Sequence, residues 1–216
     1  MKPWFVALVL LTGACEPTLM RPRVRPGELG VVARVPDLSG QPNCAPDAAS
    51  SLVRCVSQTN IQRAVRAIAN PKLGAGAKQV AKKRCHDQLQ ALGYVVHEQD
   101  YGTGVNIVGY KLGFSKPSEH VVLSAHYDHL PGCVGADDNA SGVAAVLESA
   151  RVLAAARFDR TLVVACWDES ERGRLGSQAY ARRATDRGEK IIASIVYEAV
   201  GFASSAKDSQ RVPKEF

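Results

Sequence analysis

The chain has 216 residues, 46% of them apolar and 22% charged, proportions that exclude a wholly disordered or fibrous protein. A chain of this length hides roughly 70% of its unfolded surface, enough for one substantial core without staples, and it favours a single domain. The net charge of +6 permits acidic partners but carries no information about fold.

Residues 1–15 read MKPWFVALVLLTGAC. Lys2 precedes a short apolar run, Trp4 to Leu11, which ends in the small residues Thr12, Gly13 and Ala14. That is the layout of an export signal, and the run is far shorter than the roughly 20 residues a membrane-spanning helix needs. Cys15 directly after Gly-Ala resembles the lipobox of bacterial lipoproteins, in which that cysteine becomes the lipidated first residue. Thr12 stands where a leucine is usual. The expectation is a signal over 1–15, lipid attached to Cys15, and export to the cell membrane or outer membrane. Periplasmic or secreted release without lipid is the alternative, and an ordinary buried N-terminal strand is the third reading. No later apolar run is long enough to cross a bilayer.

Six of the eleven prolines fall between Pro17 and Pro46, which leaves no room for helix or central strand. Residues 16–50 are therefore expected to be an extended tether, and residues 51–216 the folded domain. Arg21, Arg23, Arg25 and Arg34 make the tether basic without an aromatic platform or recognition motif, so no nucleic-acid partner is expected. A solvated linker drawn to anionic headgroups fits better.

Five cysteines besides Cys15 remain, at 44, 55, 85, 133 and 166. Outside the cytoplasm an odd number implies an unpaired thiol or an intermolecular bond. Cys44 and Cys55 are spaced to close a short loop. Cys133 reads as a loop thiol, and Cys166, inside TLVVACW, as a small buried apolar residue. No pair has the CxxC spacing of a structural zinc site.

Past the tether, Ile61, Val65 and Ile68 recur at helical spacing, as do Val80, Cys85, Leu89 and Leu92. Gly93 ends the second helix. YVVHEQDYG, GVNIVGYKL and HVVLSAHYD are strand-like runs separated by glycines or by the turn Ser-Lys-Pro-Ser. Ser141 opens a helix with Val143, Val146, Leu147, Ala150 and Leu153 on one face. TLVVACW, continuously apolar, predicts a central strand covered on both faces. A polar helix over Ser177 to Arg187 and a last strand at IIASIVYEAV complete the pattern. Strands that first form a meander and then alternate with helices indicate an α/β fold with a mixed sheet between helical layers.

Three of these strands end in metal-binding side-chain types. VVLSAHYDH ends in His126, Tyr127, Asp128 and His129; TLVVACWDESE ends in Asp168, Glu169 and Glu171; IIASIVYEAVG ends in Glu198. A fourth group, Gly-Ala-Asp137-Asp138-Asn139, directly precedes the Ser141 helix. Ligands gather beyond the carboxyl ends of strands in open α/β sheets, so all four groups are expected to converge. Imidazole with carboxylates suits zinc. An aspartate two residues after a ligand histidine can orient its ring.

HYDH, GADDNASG, WDESERGRLGS and VYEAVG, in that order, resemble the zinc exopeptidases that include aminopeptidase Y and the bacterial leucyl aminopeptidases, a family that also contains glutaminyl cyclases. The resemblance runs from about Asn106 to Ser209. It implies a mixed sheet sandwiched by helices, with the last elements of the family fold missing from this chain, one or two zinc ions and a peptide substrate. It also implies hydrolysis at the peptide N-terminus by a hydroxide held on the metal. By the same resemblance His126, Asp138 and Glu198 hold one metal, Asp138 bridges to a second held by Glu171, and Asp128 orients His126. Two positions depart from the family. Its general base is a glutamate where this chain has Ser170, and its last ligand is a histidine, whereas no histidine follows Glu198 here. Glu169 replaces the base only if its turn is irregular, because neighbours on a strand face opposite ways; a surface position is the simpler expectation. His129 is the stand-in considered for the last ligand. Three activities follow from the resemblance: an exported aminopeptidase of reduced competence, a metal-binding relative without turnover, and a single-zinc acyltransferase of the glutaminyl cyclase kind.

Overall fold

The computed structural model describes residues 52–72 and 76–207. The expected signal, Cys15 and the tether over 16–50 lie outside the described residues, as does Cys44. Among the described residues no helix is long and apolar enough to cross a membrane.

The elements follow the hydrophobic pattern. Helix α1 spans Gln58–Ile68, started by the Ser57 hydroxyl, which accepts the Asn60 N–H at 3.2 Å. Helix α2 spans Ala77–Ala91 and ends at Gly93, whose left-handed φ of 81° reverses the chain. Strands β1 (Val95–Asp100), β2 (Val105–Lys111) and β3 (Lys116–His126) come next, then helix α3 (Gly142–Ala154) and strand β4 (Arg160–Trp167). Helix α4 (Leu175–Asp186) and strand β5 (Lys190–Val196) finish the described fold.

The five strands form one sheet in the order β1-β2-β4-β3-β5. β1 and β2 form the antiparallel start of the expected meander, but β2 then pairs antiparallel with β4 and not with β3. β3 lies parallel to both β4 and β5. The crossover from β3 through α3 returns β4 to the side of β3 that a hairpin would have given to β2. The turn expected at Ser-Lys-Pro-Ser is also corrected: Lys116 and Pro117 already belong to β3, ahead of a register shift between Lys116 and His120.

β4 is the central strand, and alternation along it divides the core. Leu162, Val164 and Cys166 join Ala81, Cys85, Leu89, Val143 and Leu147 beneath α2 and α3. Val163, Ala165 and Trp167 join Val108, Val122, Tyr180 and Ala184 beneath α4. Tyr127 and Trp167 are both core aromatics. The period-2 exchange of faces is what a doubly covered strand requires. β5 differs: it is apolar in composition, yet every one of its residues is exposed.

Two of the cysteine expectations are corrected, those for Cys166 and Cys133. Cys166 is not a lone apolar residue but forms a disulfide with Cys85, linking the middle of α2 to the central strand with both side chains fully buried. Cys55 and Cys133 are disulfide-bonded as well, so Cys133 is no loop thiol. No described cysteine is free. A bond spanning 81 residues leaves no local spacing signal.

Candidate metal centre

Because β4, β3 and β5 run parallel, their carboxyl ends open on the same rim of the sheet. His126 is the last residue of β3. Pairing continues just beyond the strand ends, with Tyr127 N–H donating to the Trp167 carbonyl at 2.9 Å and Tyr197 N–H to the Ser124 carbonyl at 2.8 Å. These bonds carry the exits of β4 and β5 past His126 on either side. The turn Ala136–Ser141 closes the rim. Gly135 enters it with φ 64°, where an added Cβ would press on the His129 side chain at 2.8 Å.

The four metal-binding positions expected from sequence meet here. His126 Nε2 lies 3.1 Å from Asp138 Oδ1 and 3.0 Å from Glu198 Oε1. Donor atoms of His126, Asp138 and Glu171 lie within 4.8 Å of one another. On the other ring edge His126 Nδ1 meets Asp128 Oδ1 at 3.2 Å and the Asp128 carbonyl at 3.0 Å. Asp128 also accepts the N–H groups of Ser170 at 2.9 Å and Glu171 at 3.0 Å. One carboxylate thereby fixes both the imidazole and the backbone that presents Glu171.

The electrostatics express this crowding. Burial pulls the His126 imidazole toward neutrality, but the Asp128, Asp138 and Glu198 carboxylates outweigh it and push its pKa up to about 12. Contact with His126 holds the Asp138 carboxyl below the usual range. Burial raises Asp128, yet His126 and the two backbone N–H groups bring it below its ordinary value. Burial and the nearby Asp138 push Glu171 up. A cation placed among these groups would relieve the repulsion among the carboxylates and take the place of the imidazole proton. One imidazole nitrogen with three carboxylates is a zinc-type donor set, and the residues present fit that ion.

Other acidic and histidine candidates are not part of the cluster. Asp168 is buried, paired with Lys78 Nζ at 2.8 Å, and accepts the Val105 N–H at 3.2 Å and the Glu169 N–H at 2.8 Å. His129 Nδ1 contacts the Leu130 carbonyl at 3.1 Å and stays outside the donor group. Glu169 is a correction. It is not a surface residue but 2% exposed, at a left-handed φ of 53°. The turn is irregular as a replacement base would require, yet the carboxylate is engaged by Thr103 Oγ1 at 2.6 Å and by Arg172 Nη1.

Two residues of the rim were not singled out by the sequence reasoning. Asn139 and Ser141 bind the segment after Glu198. An amide and a hydroxyl immediately before a helix are capping types, which was the available signal. Asp137, the neighbour of Asp138 in the turn, accepts the Gly201 N–H at 2.8 Å.

A three-layer α/β fold with imidazole and carboxylates gathered at the carboxyl rim of its parallel strands defines a zinc-exopeptidase-like domain. A sequence profile of Peptidase family M28 matches residues 106–215, about half of the chain, and the chain belongs to that family. Aminopeptidase YwaD of Bacillus subtilis (strain 168) is 36% identical over 86 residues, which make up 39% of this chain and 19% of that protein. Among solved structures, LapB of Legionella pneumophila is similar with a TM-score of 0.64 and 23% identity, over 74% of this chain and 48% of that one. A glutaminyl cyclase of Bacteroides thetaiotaomicron, solved with N-acetylhistamine, is similar with a TM-score of 0.55 and 23% identity, over 68% of this chain and 63% of that one. The chain spans less than two thirds of the length of each of these relatives.

Proposed function

We propose that this chain is a zinc-dependent exopeptidase domain of the aminopeptidase type, held back by the residue at the general-base position. The observation that carries the proposal is the meeting of His126 Nε2 with Asp138 and Glu198 at 3.1 and 3.0 Å, with Glu171 beside them. In this reading His126, Asp138 and Glu198 hold one ion, and Asp138 and Glu171 are available to a second. Bound zinc supplies a Lewis acid that polarises a peptide carbonyl and makes water nucleophilic at neutral pH. Asp128 keeps the His126 ring turned toward the ion by accepting at Nδ1. Asp138 and Glu198 face His126 from two separate segments, so the ion would also tie the turn before α3 to the exit of β5.

Replacing His126 with alanine is expected to weaken zinc binding at least 100-fold in competition with a chromophoric chelator and to abolish zinc-dependent release of an amino acid from a chromogenic aminoacyl substrate. Unchanged zinc affinity in that variant would overturn the assignment. Metal binding without turnover is the second reading, favoured by the engagement of Glu169 with Thr103 and Arg172. Stoichiometric zinc in a chain with no aminoacyl hydrolysis would establish it. Pyroglutamate formation from an N-terminal glutamine peptide would instead point to acyl transfer.

Export and lipid anchoring at Cys15 belong to the same proposal. The buried Cys85–Cys166 bond, with Cys55 and Cys133 also bonded, supports it, because disulfides form and persist in oxidising compartments. Cells expressing the chain are expected to incorporate labelled fatty acid into it, and Cys15→Ala to abolish that label. Equal labelling of the variant would refute the anchor.

A further inference from the structure

The turn Ala136–Ser141 carries polar side chains at alternate positions, Asp137, Asn139 and Ser141, and each accepts one backbone N–H from the segment that follows Glu198. Ala199 N–H donates to Asn139 Oδ1 at 3.2 Å, Val200 N–H to Ser141 Oγ at 3.0 Å, and Gly201 N–H to Asp137 Oδ1 at 2.8 Å. Residues 199–207 are exposed throughout, and this polar bracket holds the backbone of the first three of them.

Asn139 is the centre of the bracket and is 2% exposed. Besides Ala199, its Oδ1 accepts the Gly142 N–H at 3.1 Å. Its Nδ2 donates to the Tyr197 carbonyl at 3.1 Å and to Glu198 Oε2 at 3.3 Å. All four hydrogen-bonding capacities of the amide are used. The approach is close enough that a Cβ on Gly142 would collide with Asn139 Oδ1 and stand 2.6 Å from the Tyr197 carbonyl. Glu198 therefore has one oxygen on Asn139 and the other, Oε1, 3.0 Å from His126 Nε2, although its side chain is 52% exposed. Without the amide an exposed glutamate is free to rotate away from the cluster, and ordering it on an ion would cost rotamer entropy.

We infer that Asn139 is a positioning residue: it presents the Glu198 carboxylate to the metal and locks the β5 exit to the turn that carries Asp138. The inference rests on the zinc reading proposed above. Loss of a hydrogen-bonding partner behind a metal ligand weakens affinity by about 10- to 100-fold, and that is the expected effect of Asn139→Ala. Asn139→Asp keeps the acceptor for Gly142 and Ala199 but cannot donate to Glu198 and adds a like charge beside it. It is expected to lose zinc affinity. It also leaves the Tyr197 carbonyl without its donor, so its metal-free thermal midpoint is expected to fall as well. The coupling to Glu198, measured with the double variant, is what separates positioning from lost stability.

The test is zinc competition on the full chain for the parent, Asn139→Ala, Asn139→Asp, Glu198→Ala and the double variant Asn139→Ala with Glu198→Ala. If Asn139 acts through Glu198, the double variant binds zinc within about twofold of Glu198→Ala, since the pair forms one unit. The inference is overturned if both Asn139 variants bind like the parent, or if Asn139→Ala weakens binding equally with and without Glu198. A parent that binds no zinc, or a Glu198→Ala variant as tight as the parent, defeats the zinc reading itself and is told apart by those two measurements.

Discussion

Ser170→Glu is expected to raise kcat for hydrolysis of a chromogenic aminoacyl substrate at saturating zinc by about 100- to 10,000-fold, the contribution of a positioned general base. A serine hydroxyl has no useful basicity at neutral pH, whereas a carboxylate does. The backbone at this position is already well held. Ser170 N–H and Glu171 N–H both donate to Asp128, at 2.9 and 3.0 Å, and the Ser170 carbonyl accepts Gly173 N–H at 3.1 Å and Arg174 N–H at 2.9 Å. A longer acidic side chain at 170 would therefore issue from a fixed turn beside Glu171, which is in the donor cluster. The neighbouring Glu169 does not fill the gap, because both of its oxygens are engaged by Thr103 and Arg172. The control is Ser170→Gln, similar in length and without basicity, which is expected to give no gain. Equal rates for the glutamate and glutamine variants, measured with zinc bound to both, would show that the residue at 170 does not limit turnover.

The sequence made the rim of the sheet legible because its chemistry is local. His126, Asp138, Glu171 and Glu198 each stand next to a run whose apolar pattern identifies a strand or helix, and strand ends of one parallel sheet share one side. The groups were thus visible before any pairing was known, and the resemblance to the zinc exopeptidases singled out His126, Asp138, Glu171 and Glu198 among neighbours such as Asp168, Glu169 and His129. What escaped depends on contacts far apart in sequence. Two apolar runs, β3 and β4, compete for the place beside β2, and only the α3 crossover decides between them. The Cys85–Cys166 bond joins positions 81 residues apart, and a cysteine inside an apolar strand looks the same whether bonded or free. Glu169 looks like a surface acid until Thr103, from the β1–β2 turn, is brought across to it. Asn139 sits in the quoted ADDN motif, but its four partners include residues 58 to 60 positions away, which no local pattern reports.

Arg151→Ala is expected to destabilise the domain by about 3–5 kcal/mol, the cost of leaving a buried charge without its partner. Glu148 and Arg151 lie one turn apart on α3, at 3% and 7% exposure, in a helix whose apolar spacing gives no hint of a buried ion pair. The pair is bidentate, with Arg151 Nε 2.9 Å from Glu148 Oε2 and Nη2 2.7 Å from Oε1. Both members also reach the segment before α1. Arg151 Nη2 donates to the Cys55 carbonyl, while Glu148 accepts the Ser57 N–H at 2.6 Å and Asn60 Nδ2 at 3.3 Å. Removing the guanidinium leaves the buried Glu148 carboxylate without its counter-charge, held only by the Ser57 N–H and Asn60 Nδ2, and takes a donor from the Cys55 carbonyl. At the few degrees per kcal/mol usual for a domain of this size, the thermal midpoint should fall by roughly 10 °C. The paired replacement of Glu148 and Arg151 by methionine is expected to cost less than the single change, since no buried charge remains. Urea unfolding of the two variants decides the matter. A single variant within about 1 kcal/mol of the parent would mean that water reaches the pair and that α3 is anchored to the start of α1 by packing alone. The pair ties α3 to the start of α1, and the turn that presents Asp138 and Asn139 joins α3 at its first residue, Gly142, whose N–H donates to Asn139 Oδ1 at 3.1 Å.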